Sequence, residues 1–324
     1  MYLVTGGAGF IGSTIAKKLI DSGEEVRIVD NLSTGNLSKL NGYLSKIDFI
    51  EADINDTGYS ISKLFQGVHT VIHQAAISSV ERSVKNPAET EKNNVLGTVN
   101  LLMQCVSFGV KRVVSAGSAA VYGDPVANED NNNSPKSEAV IFKAIGEETR
   151  ISPLSPYAFS KYALEYYSKS FSELYNLETV VLRYFNVFGP NQDPCSDYSG
   201  VISKFTELML KGQTPIINGD GQQTRDFVYV EDVAAANILA ATSEKVGAGE
   251  VINIGRGKAI SINELVSVIN KLINIEIKPH YGPARQGDVR HSLANIQKAR
   301  NLLGYEPRTS FQKGLGLTLS WLRK

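Results

Sequence analysis

The chain has 324 residues, 42% of them hydrophobic, with Lys+Arg and Asp+Glu both totalling 33. That length predicts two lobes or one large α/β unit around a sizeable core, and the balanced charge excludes a basic field for nucleic acid or an anionic membrane. Two cysteines, Cys105 and Cys195, exclude a disulfide framework or zinc cluster, and no apolar run approaches the roughly 18 to 20 residues that span a bilayer.

Tyr2-Leu3-Val4-Thr5 runs directly into Gly6-Gly7-Ala8-Gly9-Phe10-Ile11-Gly12, and an amphipathic segment follows. The pattern predicts strand, tight turn and helix. Gly6 supplies a turn with unusual backbone angles, Gly9 lets the main chain approach a pyrophosphate, and Gly12 lets the helix pack closely on the sheet. Phosphates would then meet the unpaired N–H groups at a helix N-terminus. With a strand starting this early we expect no signal peptide, and hence a cytoplasmic protein.

The apolar run Val26-Arg27-Ile28-Val29 ends in Asp30, where a carboxylate accepts hydrogen bonds from an adenosine ribose and repels a 2′-phosphate. The expected cofactor is therefore NAD in preference to NADP. Capping the turn Asn31-Leu32-Ser33-Thr34-Gly35 is the alternative role for Asp30.

Further strand-like runs are Val68 to Ile72, Arg112 to Ser115, Val180 to Leu182 and Val251 to Ile254, with helical periodicity between several of them. This alternation predicts a parallel sheet covered on both faces, with ligands beyond the carboxyl ends of its strands. There lie Asp53-Ile54, His73-Gln74-Ala75-Ala76, Ala116-Gly117-Ser118 and Tyr184-Phe185-Asn186. Asn128 to Ser137, with three consecutive asparagines, reads as an exposed loop.

In Ser155-Pro156-Tyr157-Ala158-Phe159-Ser160-Lys161, Pro156 suits a first helical turn, so Tyr157 and Lys161 share a helix face. An ammonium near a phenol favours the phenolate, as would a positive nicotinamide, and tyrosine then serves as a base near neutral pH. Alone, such a pair is common by chance; behind the glycine turn and Asp30 it points to catalysis.

After Asn186 the chain is broken by Gly189-Pro190, Gly212, Pro215, Gly219 and Gly221, which marks a smaller lobe. Val228 to Val233 and the helix-like Ala234 to Ala241 read as a return to the first lobe. The amphipathic Ile262 to Leu272 and the stretch Pro283 to Ser292 would complete the second. The expected division is 1–183 with about 228–256 for the cofactor, and 184–227 with 257–324 for the substrate.

The turn Thr5 to Gly12, the Tyr157/Lys161 pair and Ser118-Ala119-Ala120-Val121-Tyr122-Gly123 resemble the extended short-chain dehydrogenase/reductases. Leu182 to Pro194, Asn218-Gly219-Asp220-Gly221, Thr224-Arg225-Asp226-Phe227 and Arg285 to Ala294 resemble the UDP-N-acetylglucosamine 4-epimerases within that family. The resemblance covers essentially the whole chain. It implies an α/β fold: a Rossmann-type doubly wound parallel sheet with a smaller α/β substrate-binding lobe.

By that resemblance Ser118, Tyr157 and Lys161 form the catalytic triad. The implied NAD contacts are Gly6, Gly9, Phe10, Ile11, Gly12, Asp30, Asn31, Asp53, Ile54, Gln74, Ala75, Ala76, Asn93, Tyr157, Lys161 and Tyr184. The implied UDP-sugar contacts are Ser79, Ser118, Tyr157, Asn186, Gln192, Val201, Arg225, Arg285, Asp288 and Ser292. Arginine suits a diphosphate because its planar fork donates two hydrogen bonds at once, although Arg225 read alone is equally a solvated surface charge. Ser292 would leave room for an acetamido group; its alternative role is to cap a turn or a helix beginning near Ala294.

The implied reaction is 4-epimerisation of UDP-N-acetylglucosamine and UDP-N-acetylgalactosamine through a 4-keto sugar, with UDP-glucose and UDP-galactose as further substrates. UDP-glucuronate epimerisation, 4,6-dehydration and a non-catalytic NAD sensor are the competing readings. Ala119 and Ala120 stand where dehydratases place carboxylates, and a sensor would have no need of the intact triad. A homodimer is expected through helices near Asn94 to Phe108 and Tyr157 to Phe171, with no nucleic acid, membrane or metal partner. Two departures from the family pattern stand out: Ala116 and Gly117 replace further serines, and the connection from Asp124 to Ser152 is long.

Overall fold

A computed structural model describes residues 1–56, 63–124, 143–193, 200–284 and 289–323. Strands β1 (Tyr2–Thr5), β2 (Val26–Asp30), β3 (Ile47–Glu51), β4 (Thr70–His73), β5 (Arg112–Ser118) and β6 (Glu178–Tyr184) are joined by β10 (Ala248–Ile254) in one seven-stranded sheet. Every pairing is parallel, in the order β10-β6-β5-β4-β1-β2-β3. The strand order reverses between β1 and β4, which opens a crevice beyond their carboxyl ends, as in a doubly wound Rossmann-type sheet.

The strands are short because both faces are buried and successive side chains point to opposite cores. Val4, Ile28 and Ile72 enter one cluster with Ile15, Ala16 and Leu19 of the helix Phe10–Asp21. Leu3, Val29 and Val71 enter the other, with Leu101, Leu102 and Cys105 of the helix Gly97–Ser107. The run expected from Val68 starts two residues later, at Thr70, after a turn through Gly67 (φ +73°) that Val68 N closes by donating to Phe65 O at 3.1 Å. Edge strand β3 was not among the expected strands: its side chains are only partly covered.

Apart from the two clusters on the main sheet, a second core gathers Phe188, Phe205, Met209, Phe227, Tyr229, Leu265, Ile269, Phe311 and Leu315. It covers a three-stranded sheet in which β9 (Thr224–Tyr229) lies between β7 (Asn186–Phe188) and β11 (Ala259–Ser261); β8 (Ile216–Asn218) pairs with β12 (His280–Gly282). The amphipathic stretch forms the helix Ile262–Ile273, started by Ser261, whose Oγ accepts from Glu264 N at 3.0 Å, and ended by Asn274 in the left-handed region.

β9 stands between the two cores: Val228 points into the first, Phe227 and Tyr229 into the second. The run Val228 to Val233 divides, with strand ending at Tyr229 and the helix Val230–Thr242 following at once. Ala294, Ile296, Ala299, Leu303 and Tyr305 pack into the first core, although they belong to the 257–324 stretch. Ser292 does not cap a helix: the next helix is Gln297–Leu303, and Asn295 Oδ1 accepts from Gln297 N at 3.0 Å. Among the described residues, no helix is long and apolar enough to cross a membrane.

Candidate active site

The turn after β1 is built from backbone proximity. Gly6 has φ +65°, and a Cβ on it would sit 2.7 Å from Ala75 N, at the end of β4. A Cβ on Gly12 would fall 2.2 Å from Gly6 O, so Gly12 lets the helix start press against the turn itself. The helix Phe10–Asp21 therefore opens with its first N–H groups facing the crevice.

Asp30, 8% exposed, accepts from Ala8 N through Oδ2 and from Leu32 N through Oδ1, both at 2.9 Å. It thus caps its turn, and a carboxylate with about four lone-pair positions retains room for ribose hydroxyls. Asn31 Nδ2 donates to Asp53 Oδ2 at 2.8 Å, and Asn55 donates to Asp53 Oδ1 through its main chain and side chain. Partial burial works against the Asp53 carboxylate, but these hydrogen bonds hold its pKa below the usual value.

All sixteen residues expected at the dinucleotide line one cleft of about 330 Å³. Ser79 and Gln192 lie on the same wall. Ser79 is buried and caps the helix Val80–Lys85, accepting from Arg82 N at 2.9 Å. Gln192 Oε1 accepts from Ser203 Oγ at 2.7 Å, which ties the loop after β7 to the helix Val201–Leu210. Ser118, Asn186, Val201, Arg225 and Ser292 are not on that wall: Ser118 ends β5, Asn186 begins β7, Val201 begins the helix Val201–Leu210, Arg225 lies in β9 and Ser292 in the segment beside it, with Arg225 bonded to its neighbour's carbonyl at 2.8 Å. Arg285 and Asp288 lie outside the described residues, as do Asn128 to Ser137 and Cys195.

At the end of β5, Ser118 Oγ accepts from Ala120 N at 3.2 Å, and its side chain is near enough to the Tyr157 phenol to favour the phenolate. Tyr157 enters on the first turn of the helix Pro156–Tyr175, capped by Ser155, whose Oγ accepts from Ala158 N at 3.1 Å. One turn on, buried Lys161 donates to Ala116 O at 2.8 Å, with Nζ 6.0 Å from the Tyr157 ring centre. Burial pushes the Tyr157 phenol above its ordinary pKa, with the Ser118 side chain opposing, and pulls the Lys161 ammonium down to about 8. Low-dielectric surroundings disfavour both charged forms.

Behind this pair, His73 is fully enclosed between Thr5 Oγ1 (2.7 Å) and Thr98 Oγ1 (3.0 Å). Burial, with the Lys161 charge adding, lowers its pKa to about 3, so it stays neutral.

Several contributors carried no sequence signal strong enough to single them out. Buried Asn237 accepts from the Tyr184 hydroxyl at 2.9 Å and from Gln74 Nε2 at 3.2 Å, orienting two wall residues. Asn94 bonds Ile77 through both its N–H and C=O and donates to Ser160 Oγ at 3.0 Å, joining the loop after β4 to the Tyr157 helix. It lies in a π-helical turn, Glu91–Leu96, and two asparagines inside a helical stretch were the available hint. Lys39 and Arg82 add cations to the wall, Arg82 forked onto Glu89.

Residues 2–255 match the NAD dependent epimerase/dehydratase family. Over its full length the chain is 43% identical to a putative UDP-glucose 4-epimerase of Methanocaldococcus jannaschii, covering 98% of that protein. The structure of a UDP-glucose 4-epimerase from Thermotoga maritima with UDP-glucose is 39% identical, with a TM-score of 0.88, over 99% of this chain and 98% of that one. A UDP-N-acetylglucosamine 4-epimerase from Methanobrevibacter ruminantium, in complex with UDP-N-acetylmuramic acid, is also 39% identical, with a TM-score of 0.88 over 99% and 97%.

Proposed function

From the premise that the chain belongs to the NAD dependent epimerase/dehydratase family, we propose that it is a UDP-sugar 4-epimerase acting on UDP-N-acetylglucosamine and UDP-N-acetylgalactosamine. The observation that carries this reading is the Tyr157/Lys161 pair, with the buried Lys161 ammonium fixed on Ala116 O and 6.0 Å from the Tyr157 ring centre, in a cleft also lined by Gly6, Gly12 and Asp30. The absence of space for a Cβ at Gly6 and Gly12 and the carboxylate at the ribose position fit a dinucleotide without a 2′-phosphate.

NAD, held by residues of the cleft such as Gly6, Gly9, Gly12 and Asp30, would supply the hydride acceptor for C4 of the sugar and the reductant for its return. Tyr157, as phenolate, removes the proton of the 4-hydroxyl and gives it back after the sugar has turned. Ser118 passes a hydrogen bond between Tyr157 and the sugar oxygen, and Lys161 holds positive charge below the phenol. Gln74, Tyr184 and Asn237 keep the far wall fixed, while Arg225 and Arg285 would retain the diphosphate, with Asp288 beside the nucleotide, as the 4-keto sugar rotates. Binding and chemistry are thus assigned to opposite ends of one substrate.

We assign 1–183 with about 228–256 to the cofactor and 184–227 with 257–324 to the nucleotide sugar. Small Ser292, half-buried and uninvolved in helix capping, supports the N-acetylated substrates. Exposed Leu96, Met103, Phe159 and Tyr166 on two neighbouring helical stretches support a homodimer. Cys105, a buried free thiol, fits a reducing cytoplasm.

The test is incubation of the purified protein with four UDP-sugars, with and without N-acetyl groups, followed by product separation. Interconversion of the N-acetylated pair is expected. Turnover of the pair without N-acetyl groups alone, or loss of water to a 4-keto-6-deoxy product, would overturn the assignment.

A further inference from the structure

Asp226 is fully buried in β9, yet it makes no side-chain ion pair among the described residues. Its carboxylate is filled by main-chain donors: Oδ1 accepts from Arg256 N at 2.7 Å, and Oδ2 from Gly257 N at 2.8 Å and Ala294 N at 3.2 Å. Arg256 and Gly257 begin the connection that leaves β10 of the main sheet. Ala294 belongs to a segment laid beside the start of β9, where Thr224 N donates to Arg290 O and Ser292 N to Thr224 O, both at 3.1 Å. Gly255 closes the last side: a Cβ there would lie 2.9 Å from Asp226 Oδ2. One carboxylate therefore joins β9, the end of the main sheet and the segment ending at Ala294. Arg225 is its immediate neighbour, and Ser292 is two residues from one of its donors.

We propose that Asp226 is the positioning residue of the nucleotide-sugar site, setting the spacing between Arg225 and Ser292 and fixing both to the sheet that carries Ser118. The assignment rests on reading Arg225 and Ser292 as substrate contacts. Being buried, Asp226 touches no substrate; it acts through the backbone it holds.

A purely structural role and this one differ in their response to acid. Burial lifts the Asp226 carboxyl to about 6 against its three N–H donors and the Arg256 charge. Arg256 and Tyr305 are the charged or titratable groups that act on it from the β10 connection and the helix-end segment; Arg290 and His291 lie on the third element, and β7 and β11 bring none. A protonated carboxyl presents a hydrogen toward one of the N–H groups and must release it. Because the folded value lies above the unfolded one, the folded state binds the proton more tightly, and this group adds global stability as pH falls through 6. Acid thus loosens the clamp without unfolding the chain.

The experiment measures UDP-N-acetylglucosamine binding by calorimetry, with KM and kcat, from pH 8 to pH 5 on the NAD-loaded full chain, for wild type, Asp226→Asn and Asp226→Glu. The esterified diphosphate of this probe does not titrate in that range. Wild-type Kd and KM should rise toward about tenfold per pH unit below 6, with kcat changing far less and no fall in melting temperature. Asp226→Asn should bind weakly at every pH with a flat profile, and Asp226→Glu should be intermediate. A flat wild-type profile overturns the proposal, whether or not the variants fold. So does an asparagine variant that keeps the wild-type rise, because another group such as His291 would then be responsible. Absence of binding by wild type at pH 8 overturns the nucleotide-sugar reading and the inference with it.

Discussion

Lys161 reaches back to donate a 2.8 Å hydrogen bond to the carbonyl of Ala116, and in that position its ammonium stands 6.0 Å from the centre of the Tyr157 ring. The bond ties the helix Pro156–Tyr175 to the end of β5, two residues before Ser118. Both ionisable groups are pushed toward neutrality by burial, the phenol upward and the ammonium down to about 8. In the proposed mechanism a positive nicotinamide would favour the phenolate that burial opposes.

Tyr157→Phe should lower turnover by at least about a hundredfold, the usual scale for losing a general acid/base, while UDP-sugar affinity stays within about twofold. Lys161→Met should impair kcat similarly. Because the folded Lys161 value lies below the unfolded one, its charge opposes folding near neutral pH, so its melting temperature should not fall. Steady-state kinetics with thermal scans check both; near-normal turnover in the phenylalanine variant would remove Tyr157 from the mechanism.

NAD should accompany the purified protein without supplementation, identified by extraction and mass. Asp30→Ala removes the acceptor for Ala8 N and Leu32 N. Each stranded donor costs about 1 to 3 kcal/mol, so the variant should lose both cofactor and melting temperature. Extracting NADP from the wild type would contradict the role given to the carboxylate.

Ser292→Tyr should discriminate between sugars. Filling a snug space costs roughly 1 to 3 kcal/mol, about a tenfold to hundredfold loss if it falls on N-acetylated substrates alone. Since Ser292 lies five residues before the next helix and caps none, Ser292→Ala should barely change stability. Equal losses on both sugar classes would mark the tyrosine effect as structural.

Arg183 and Glu165, each about 5% exposed, form a forked pair with both contacts at 2.7 Å, and Arg183 also donates to the Tyr122 hydroxyl at 2.7 Å. Glu165→Ala strands a buried guanidinium and should cost about 3 to 5 kcal/mol. Replacing both residues by methionine should recover most of that loss. Urea unfolding of the two variants decides the matter; a double variant no more stable than Glu165→Ala would show that the pair is needed for more than mutual neutralisation.

What the sequence determined by itself is what short-range geometry encodes. Turn glycines at 6, 9 and 12, an acid at the end of β2, a Pro156 helix start and a Tyr157/Lys161 spacing of one turn are decided within a few residues, where steric and helical rules apply directly. The parallel sheet follows from buried runs such as Tyr2–Thr5 and Thr70–His73, which no solvent-facing strand could contain. Tertiary structure alone decided the rest. Asn237 meets Gln74 across 163 residues of sequence, and Asp226 reaches Ala294 across 68; no local pattern specifies such partners. The direction of the Tyr157 and Lys161 shifts was likewise invisible, because desolvation depends on what the folded chain packs around a side chain. Spacing places two groups together, and only burial determines which charge they can bear.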